Sequence, residues 1–172
     1  MIQKCSIIAV LEIFFKEPLK AHFIREISRR INLAQTSVRN NIKELIKNKL
    51  IIEKKSYPFN NLIANRDNEK FLFYKQAYNY YSLFDLKNEI IDKIHPKGIV
   101  IFGSYSRGED IEESDIDVLI ISKIKKDLDL SNIEDRLNRK INLLFVNSLK
   151  ELDKNIKNNV QNGWVIYGGI NE

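Results

Sequence analysis

From Cys5 to Phe15 apolar residues recur at helical spacing, and the run stops near Pro18. Ala21–Ile31 repeats the pattern, with Ile24, Ile27 and Ile31 on one side, and Asn32-Leu33 makes a short turn. Ala34–Lys49 is the clearest amphipathic helix of the front half. Ala34, Val38, Ile42, Leu45 and Ile46 form one stripe at the 3–4 spacing of a buried face. Leu50–Ser56 then turns β-rich, Pro58 and Asn60-Asn61 break it, and Leu62–Asn65 returns as a second strand. Glu69–Ile94 contains no glycine or proline and reads as one or two connecting helices. Its Tyr74, Tyr78, Tyr80 and Tyr81 are expected to pack between domains, with stacking on bases as the alternative.

Beyond Pro96 the period alternates. Strands are expected at Gly98–Phe102, Asp115–Ile121, Ile141–Val146 and Trp164–Tyr167, and helices at Ser104–Glu109, Ser131–Arg139 and Leu149–Asn159. That alternation predicts a small α/β domain with a mixed sheet. The chain as a whole is therefore expected to be α+β.

Charge sharpens the division. The 172 residues carry a formal net charge of +5, distributed unevenly. Residues 1–66 hold thirteen Lys/Arg against five Asp/Glu, a balance of +8. Residues 67–95 balance at −1 and residues 96–172 at −2. Three regions are expected: a basic domain over 1–66, a helical connector over 67–95 and a mildly acidic domain over 96–172. The single cysteine, Cys5, excludes an internal disulfide and is expected to be a plain buried thiol. The apolar runs are too short to cross a bilayer and the N-terminus does not read as a signal peptide, so a cytoplasmic protein is expected.

Three helices followed by a β-hairpin, with the words REISRRINLAQTSVRNNIKELIKNKLIIEKK (Arg25–Lys55), resemble a winged helix-turn-helix domain over about the first 65 residues. That resemblance implies DNA binding by the helix over Ala34–Lys49, whose solvent side carries Gln35, Thr36, Arg39, Asn40, Lys43 and Lys47. Arg and Lys suit phosphates; Gln35, Arg39 and Asn40 have the hydrogen-bonding forks that base edges require. Lys54 and Lys55 open the wing and would lie over backbone. The same layout also serves protein–protein docking, and a solvated polar helix face is the plainer alternative. Winged helices meet repeated half-sites as dimers, so a homodimer is expected.

The stretch FGSYSRGEDIEESDIDVLI (Phe102–Ile120) carries the chemistry. A Gly-Ser pair after a buried strand, opening a short helix, presents free backbone N–H groups to an anion. Gly103 permits close approach, Ser104 adds a hydroxyl, and Arg107 lies one turn on. Asp115 and Asp117 stand two apart on an expected strand, so both point to one face. Two such carboxylates repel unless a cation lies between them, and hard oxygens suit magnesium. The plain alternative is a surface turn beside an acidic pair that blunts a sheet edge.

Gly103-Ser104, ten residues, then Asp115-x-Asp117, with Arg107-Gly108 inside, resembles the signature of the minimal nucleotidyltransferases of the DNA polymerase beta superfamily. The resemblance covers about Lys97–Tyr167. It implies transfer of a nucleoside monophosphate from an NTP, ATP in the first instance, with Asp115 and Asp117 holding Mg2+ and Gly103 and Ser104 the triphosphate. It also implies a third carboxylate on the neighbouring strand, where this chain has Asn142 within KINLLFV. Asparagine can touch a metal but cannot serve as a base at neutral pH. Glu134, Asp135, Glu151 and Asp153 lie nearby in sequence but off the strand. Some relatives are antitoxins that adenylylate a HEPN-domain toxin, so a protein acceptor is one implication. Two readings follow: an NMP-transferring enzyme with a DNA-binding module, or a DNA-binding regulator whose degenerate back domain only senses nucleotide.

Overall fold

The computed structural model describes residues 5–57 and 60–169. Its internal contacts divide the chain into two compact units, Met1–Lys75 and Gln76–Glu172. Pro58, expected to break the hairpin, lies outside the described residues. No described helix is long and apolar enough to cross a membrane.

The first unit holds helices α1 (Ser6–Lys16), α2 (Ile24–Arg30) and α3 (Gln35–Lys47), then strands β1 (Ile51–Lys54) and β2 (Asn61–Ala64). The strands form an antiparallel hairpin with Ile51 opposite Ala64 and Lys54 opposite Asn61. The core takes Val10, Leu11, Ile13, Phe14 and Phe15 from α1, Ile27 from α2, and Val38, Ile42 and Leu45 from α3. α2 starts three residues later than its apolar spacing suggests. His22 is extended instead, exchanging backbone hydrogen bonds of 2.8 and 3.0 Å with Leu62 of the hairpin. A tertiary ladder bond there outweighs local helix propensity. Ala34 precedes α3 and is exposed, so the buried stripe is narrower than expected. Cys5 is also exposed rather than buried: α1 begins at Ser6, which leaves the thiol at the N-cap, ahead of the buried face.

Asn68 opens α4 (Glu69–Ser82), its side-chain oxygen accepting from the N–H groups of Lys70 and Phe71 at 2.9 and 3.3 Å. α5 (Phe84–Ile94) follows after Leu83.

In the second unit, β3 (Gly98–Phe102), β4 (Ile116–Ile121), β5 (Ile141–Val146) and β6 (Trp164–Gly168) form one mixed sheet in the order β5-β4-β3-β6. β3 pairs antiparallel with β4 and β6, and β4 pairs parallel with β5. A parallel pair needs a crossover, which α7 (Ser131–Leu137) supplies. Alternation along the strands gives the sheet two apolar faces. Ile99, Ile101, Ile116, Val118 and Ile120 form a cluster with Leu86, Ile90 and Ile94 of α5 and with Leu130 and Ile133 around α7. Val100, Leu119, Ile121 and Val146 form a cluster with Leu149 and with Val160 of α8 (Lys154–Gln161). α5 is thus part of this core.

Helices of this unit differ in extent from the sequence pattern, and the one expected over Ser104–Glu109 runs Gly103–Arg107. The run from Leu149 to Asn159 breaks into a 3-10 turn at Leu149–Glu151 and then α8. Asp153 interrupts it as an N-cap, accepting from Asn155 and Ile156 at 2.9 and 3.0 Å; a capping carboxylate competes with helix continuation. α7 stops at Leu137 because Asn138 takes a left-handed conformation (φ 52°), and Arg139 turns into the interior.

Candidate active site

Strand register builds the site. On β3, β4 and β5, Phe102 pairs with Asp117, and Asp117 pairs in turn with Asn142. Paired residues on adjacent strands share a face. Asp117 and Asn142 therefore stand side by side where the apolar stretch of that face ends. Asp115 precedes β4 by one residue and returns to the same point. The Asn142 Nδ2 donates to Asp115 Oδ2 at 3.1 Å and lies 3.4 Å from Asp117 Oδ1.

The Gly-Ser turn comes from β3. Gly103 opens the short α6 (Gly103–Arg107) at φ +75°, in the left-handed region. A Cβ on Gly103 would stand 2.5 Å from Asp117 Oδ2. Glycine is required twice there, by its dihedral and by the neighbouring carboxylate. Gly103, Asp115, Asp117 and Asn142 are thus brought together, with Ser104 next in line on α6. Two carboxylates beside a residue that leaves the space of a side chain open fit a hard divalent cation and the phosphates it accompanies. Arg107 is disposed differently: its Nε donates to Glu109 at 2.7 Å, which ties it to its own loop.

Asn79, Asp110 and Arg139 are what sequence reasoning missed. Asp110 is buried, accepting from Asn79 Nδ2 at 2.8 Å and lying 3.5 Å from Arg139 Nη2. Asn79 also donates to the Tyr105 carbonyl at 2.9 Å, and Arg139 to the Glu112 carbonyl at 2.9 Å. Gln76 Nε2 donates to the Arg107 carbonyl at 2.9 Å, and Ser82 bonds the Tyr105 hydroxyl at 2.8 Å. Burial pushes the Tyr105 phenol up to about 12, the Ser82 bond notwithstanding. The ten residues between Ser104 and Asp115 are thereby held from inside at both α6 and the loop. Gln76, Asn79 and Ser82 recur every third residue of α4, and that polar stripe among tyrosines was the legible signal. Nothing in the run Glu109–Glu113 marks Asp110 as the acid that would be buried.

Three of the neighbouring carboxylates are engaged in local hydrogen bonds. Glu134 accepts from the Ile141 N–H at 2.8 Å, Asp153 caps α8, and Glu151 accepts from Asn147, which holds its carboxyl below the ordinary value. Asp115 lines a cleft of about 300 Å³ in which Glu112, Glu113, Glu134 and Asp135 outnumber Arg139 and Lys140.

In the first unit Gln35, Thr36, Arg39, Asn40, Lys43, Lys47, Lys54 and Lys55 are all exposed. Gln35, Arg39 and Lys43 line a cleft of about 610 Å³ with Phe23, Arg25, Glu53, Asn60 and Leu62, whereas Thr36, Asn40 and Lys47 lie outside it. Tyr74, Tyr80 and Tyr81 are exposed, and Tyr80 meets Trp164 edge-on at 5.6 Å.

The described residues also bring ligand atoms of Glu17, His22 and Glu26 within 4.8 Å of one another. Protein cations already occupy that cluster. Arg30 donates to Glu17 at 2.6 and 3.1 Å and to Glu26 at 3.3 Å, and Lys20 lies 3.5 Å from Glu17. Burial pushes the Glu17 carboxyl up, but the Arg30 bond and the charges of Arg30, Lys20 and His22 together hold it below the usual value.

Residues 85–166 match the family described as Nucleotidyltransferase domain. A Methanocaldococcus jannaschii protein named "Putative protein adenylyltransferase MJ0126" is 44% identical over 69 residues, covering 37% of this chain and 69% of that protein. A second from the same organism, "Putative protein adenylyltransferase MJ1379", is 53% identical over 34 residues, covering 20% of this chain and 34% of its own length. No solved structure matches. The chain belongs to the nucleotidyltransferase family, whose members use an NTP and a divalent metal.

Proposed function

We propose that this chain transfers AMP from ATP to a hydroxyl of a protein acceptor, releasing pyrophosphate. The observation that carries the reading is the convergence of Asp115, Asp117 and Gly103 at one strand end. Asp115 and Asp117 would hold magnesium, which when bound neutralises phosphate charge and polarises the bond to be broken. Gly103 leaves room for the triphosphate, and the Ser104 hydroxyl and the N–H groups of the turn donate to it. Arg107, bonded to Glu109, stiffens the loop. Asn142 orients the two carboxylates but takes no proton at neutral pH. A protein acceptor is supported by the printed names of the two relatives. The acidic cleft beside Asp115 favours a basic segment around the acceptor hydroxyl. A HEPN-domain toxin, implied by the resemblance of the motif, is the first acceptor to try, in the cytoplasm where ATP is available.

Within the first unit, residues 1–66 are read as a winged helix-turn-helix that binds DNA, as a homodimer if half-sites repeat. Its support is the +8 charge, the three-helix-and-hairpin order and the exposure of Arg39, Lys43, Lys47, Lys54 and Lys55. The span 67–95, expected as a connector to a transferase domain over 96–172, would include α5, which packs into that domain's core.

The test is incubation with ATP labelled at the α-phosphate, magnesium and cell extract, comparing the parent with Asp115→Ala and Asp117→Ala. Label transfer that both variants abolish is expected. Absence of transfer, or transfer indifferent to the variants, overturns the reading.

Asn142 favours a second reading, in which the back domain senses nucleotide and the front domain regulates transcription. A DNA shift assay with and without ATP and magnesium separates the two. Nucleotide-dependent DNA affinity without AMP transfer supports the regulator.

A further inference from the structure

Ionised Asp115 and Asp117 offer acceptors only. Asn142 is set against both, with its amide nitrogen 3.1 Å from Asp115 Oδ2 and 3.4 Å from Asp117 Oδ1. The acceptors dictate which end of the amide faces them: the N–H2 group is attracted, whereas the carbonyl oxygen would be repelled. Asn142 cannot easily withdraw, because parallel pairing puts its Cα in register with Asp117. Asp117 Oδ2 occupies the space that a Cβ on residue 103 would take, which the glycine leaves to it.

We propose that Asn142 is a built-in stand-in for a cation. Its amide holds the acid pair together in the cation-free protein, competes with the first divalent cation, and leaves the nucleotide-free site able to hold one such ion and no second. The inference rests on the reading of Asp115 and Asp117 as cation ligands. A carboxylate in place of Asn142 would add a negative charge and remove a donor. The neutral amide does the opposite on both counts, and it offers its own oxygen only by turning and giving up both hydrogen bonds.

The test uses Mn2+ as the probe, titrated into the full chain without nucleotide and followed by electron paramagnetic resonance. The parent should bind one Mn2+, and N142D two. N142A, freed of the competing amide, should bind its single Mn2+ about three- to tenfold more tightly, or roughly 0.7–1.4 kcal/mol. In a parallel 15N spectrum, Mg2+ should shift the Asn142 side-chain N–H2 pair of the parent. Circular dichroism confirms that each variant is folded. If N142A binds Mn2+ no tighter than the parent, or the parent itself takes two ions, the stand-in role is overturned while the cation site survives. If neither the parent nor N142D binds Mn2+, the cation reading of the acid pair falls, and this inference with it.

Discussion

Asp110 Oδ2 lies 3.5 Å from Arg139 Nη2, and the two side chains are only 1% and 3% exposed. Breaking a buried pair from one side leaves a charge stranded in a low-dielectric interior, which typically costs about 3–5 kcal/mol. Asp110→Ala should therefore destabilise the protein by that order, read as a lower denaturant midpoint in urea. Asp110→Leu combined with Arg139→Met should cost less than the single change. An Asp110→Ala variant as stable as the parent would show that the pair holds nothing.

Gly103→Ala should damage stability and site together. An alanine at φ +75° is strained by about 1–3 kcal/mol, and its Cβ would meet Asp117 Oδ2 at 2.5 Å. Relief requires the Asp117 carboxylate to move away from residue 103, which disturbs its placement beside Asp115 and Asn142. The expected outcome is a lower thermal midpoint together with weakened Mn2+ binding. A Gly103→Ala protein that binds Mn2+ like the parent would separate the turn from the acid pair.

Tyr105 predicts an alkaline limit. Burial raises its folded value to about 12, above the ordinary 10 of the unfolded chain. The folded state therefore holds the phenolic proton more tightly. The linked stability is fully present below about pH 10 and is lost as pH rises through about 12, a change on the order of 2–3 kcal/mol. Tyr105→Phe should flatten that alkaline fall. At neutral pH it should lose about 1 kcal/mol with the Ser82 hydrogen bond. Urea midpoints at pH 8 and pH 11 for the two proteins check this. An unchanged alkaline fall in the variant would assign it to other groups.

If the first unit binds DNA as proposed, the logarithm of its affinity should fall linearly with the logarithm of salt concentration. Lys47→Ala and Lys54→Ala, both at exposed positions, should each lower that slope by about 0.9, the value for one phosphate contact on duplex DNA. Fluorescence anisotropy with a labelled duplex across a salt series measures it. Slopes indifferent to both changes would leave these lysines as solvated surface.

Much of the back domain was legible because its signals are local. β3 and β5 have the bounds that the sequence suggests, since Gly98–Phe102 and the apolar residues around Asn142 in Ile141–Val146 stand between polar breaks that leave few other arrangements. Spacing put Asp115 and Asp117 on one face, the turn after a buried strand marked Gly103, and the family resemblance marked Asn142. The narrowed α2, the split at Asp153 and the exposed Cys5 were not legible. Each depends on a partner or a helix start that local pattern does not specify: Leu62 for His22, a capping geometry for Asp153, and Ser6 as the first helical residue for Cys5.

The amino-acid order by itself determined the α+β division, the basic front and the glycine–serine and aspartate spacing, because those follow from periodicity, charge and turn chemistry along neighbouring residues. Only the tertiary structure decided that Asn142 faces both aspartates with its nitrogen, that Asp110 rather than its acidic neighbours is buried on Arg139, and that Arg107 turns to Glu109. Those choices depend on strand register and on which charges solvent no longer reaches, and both arise when distant segments meet.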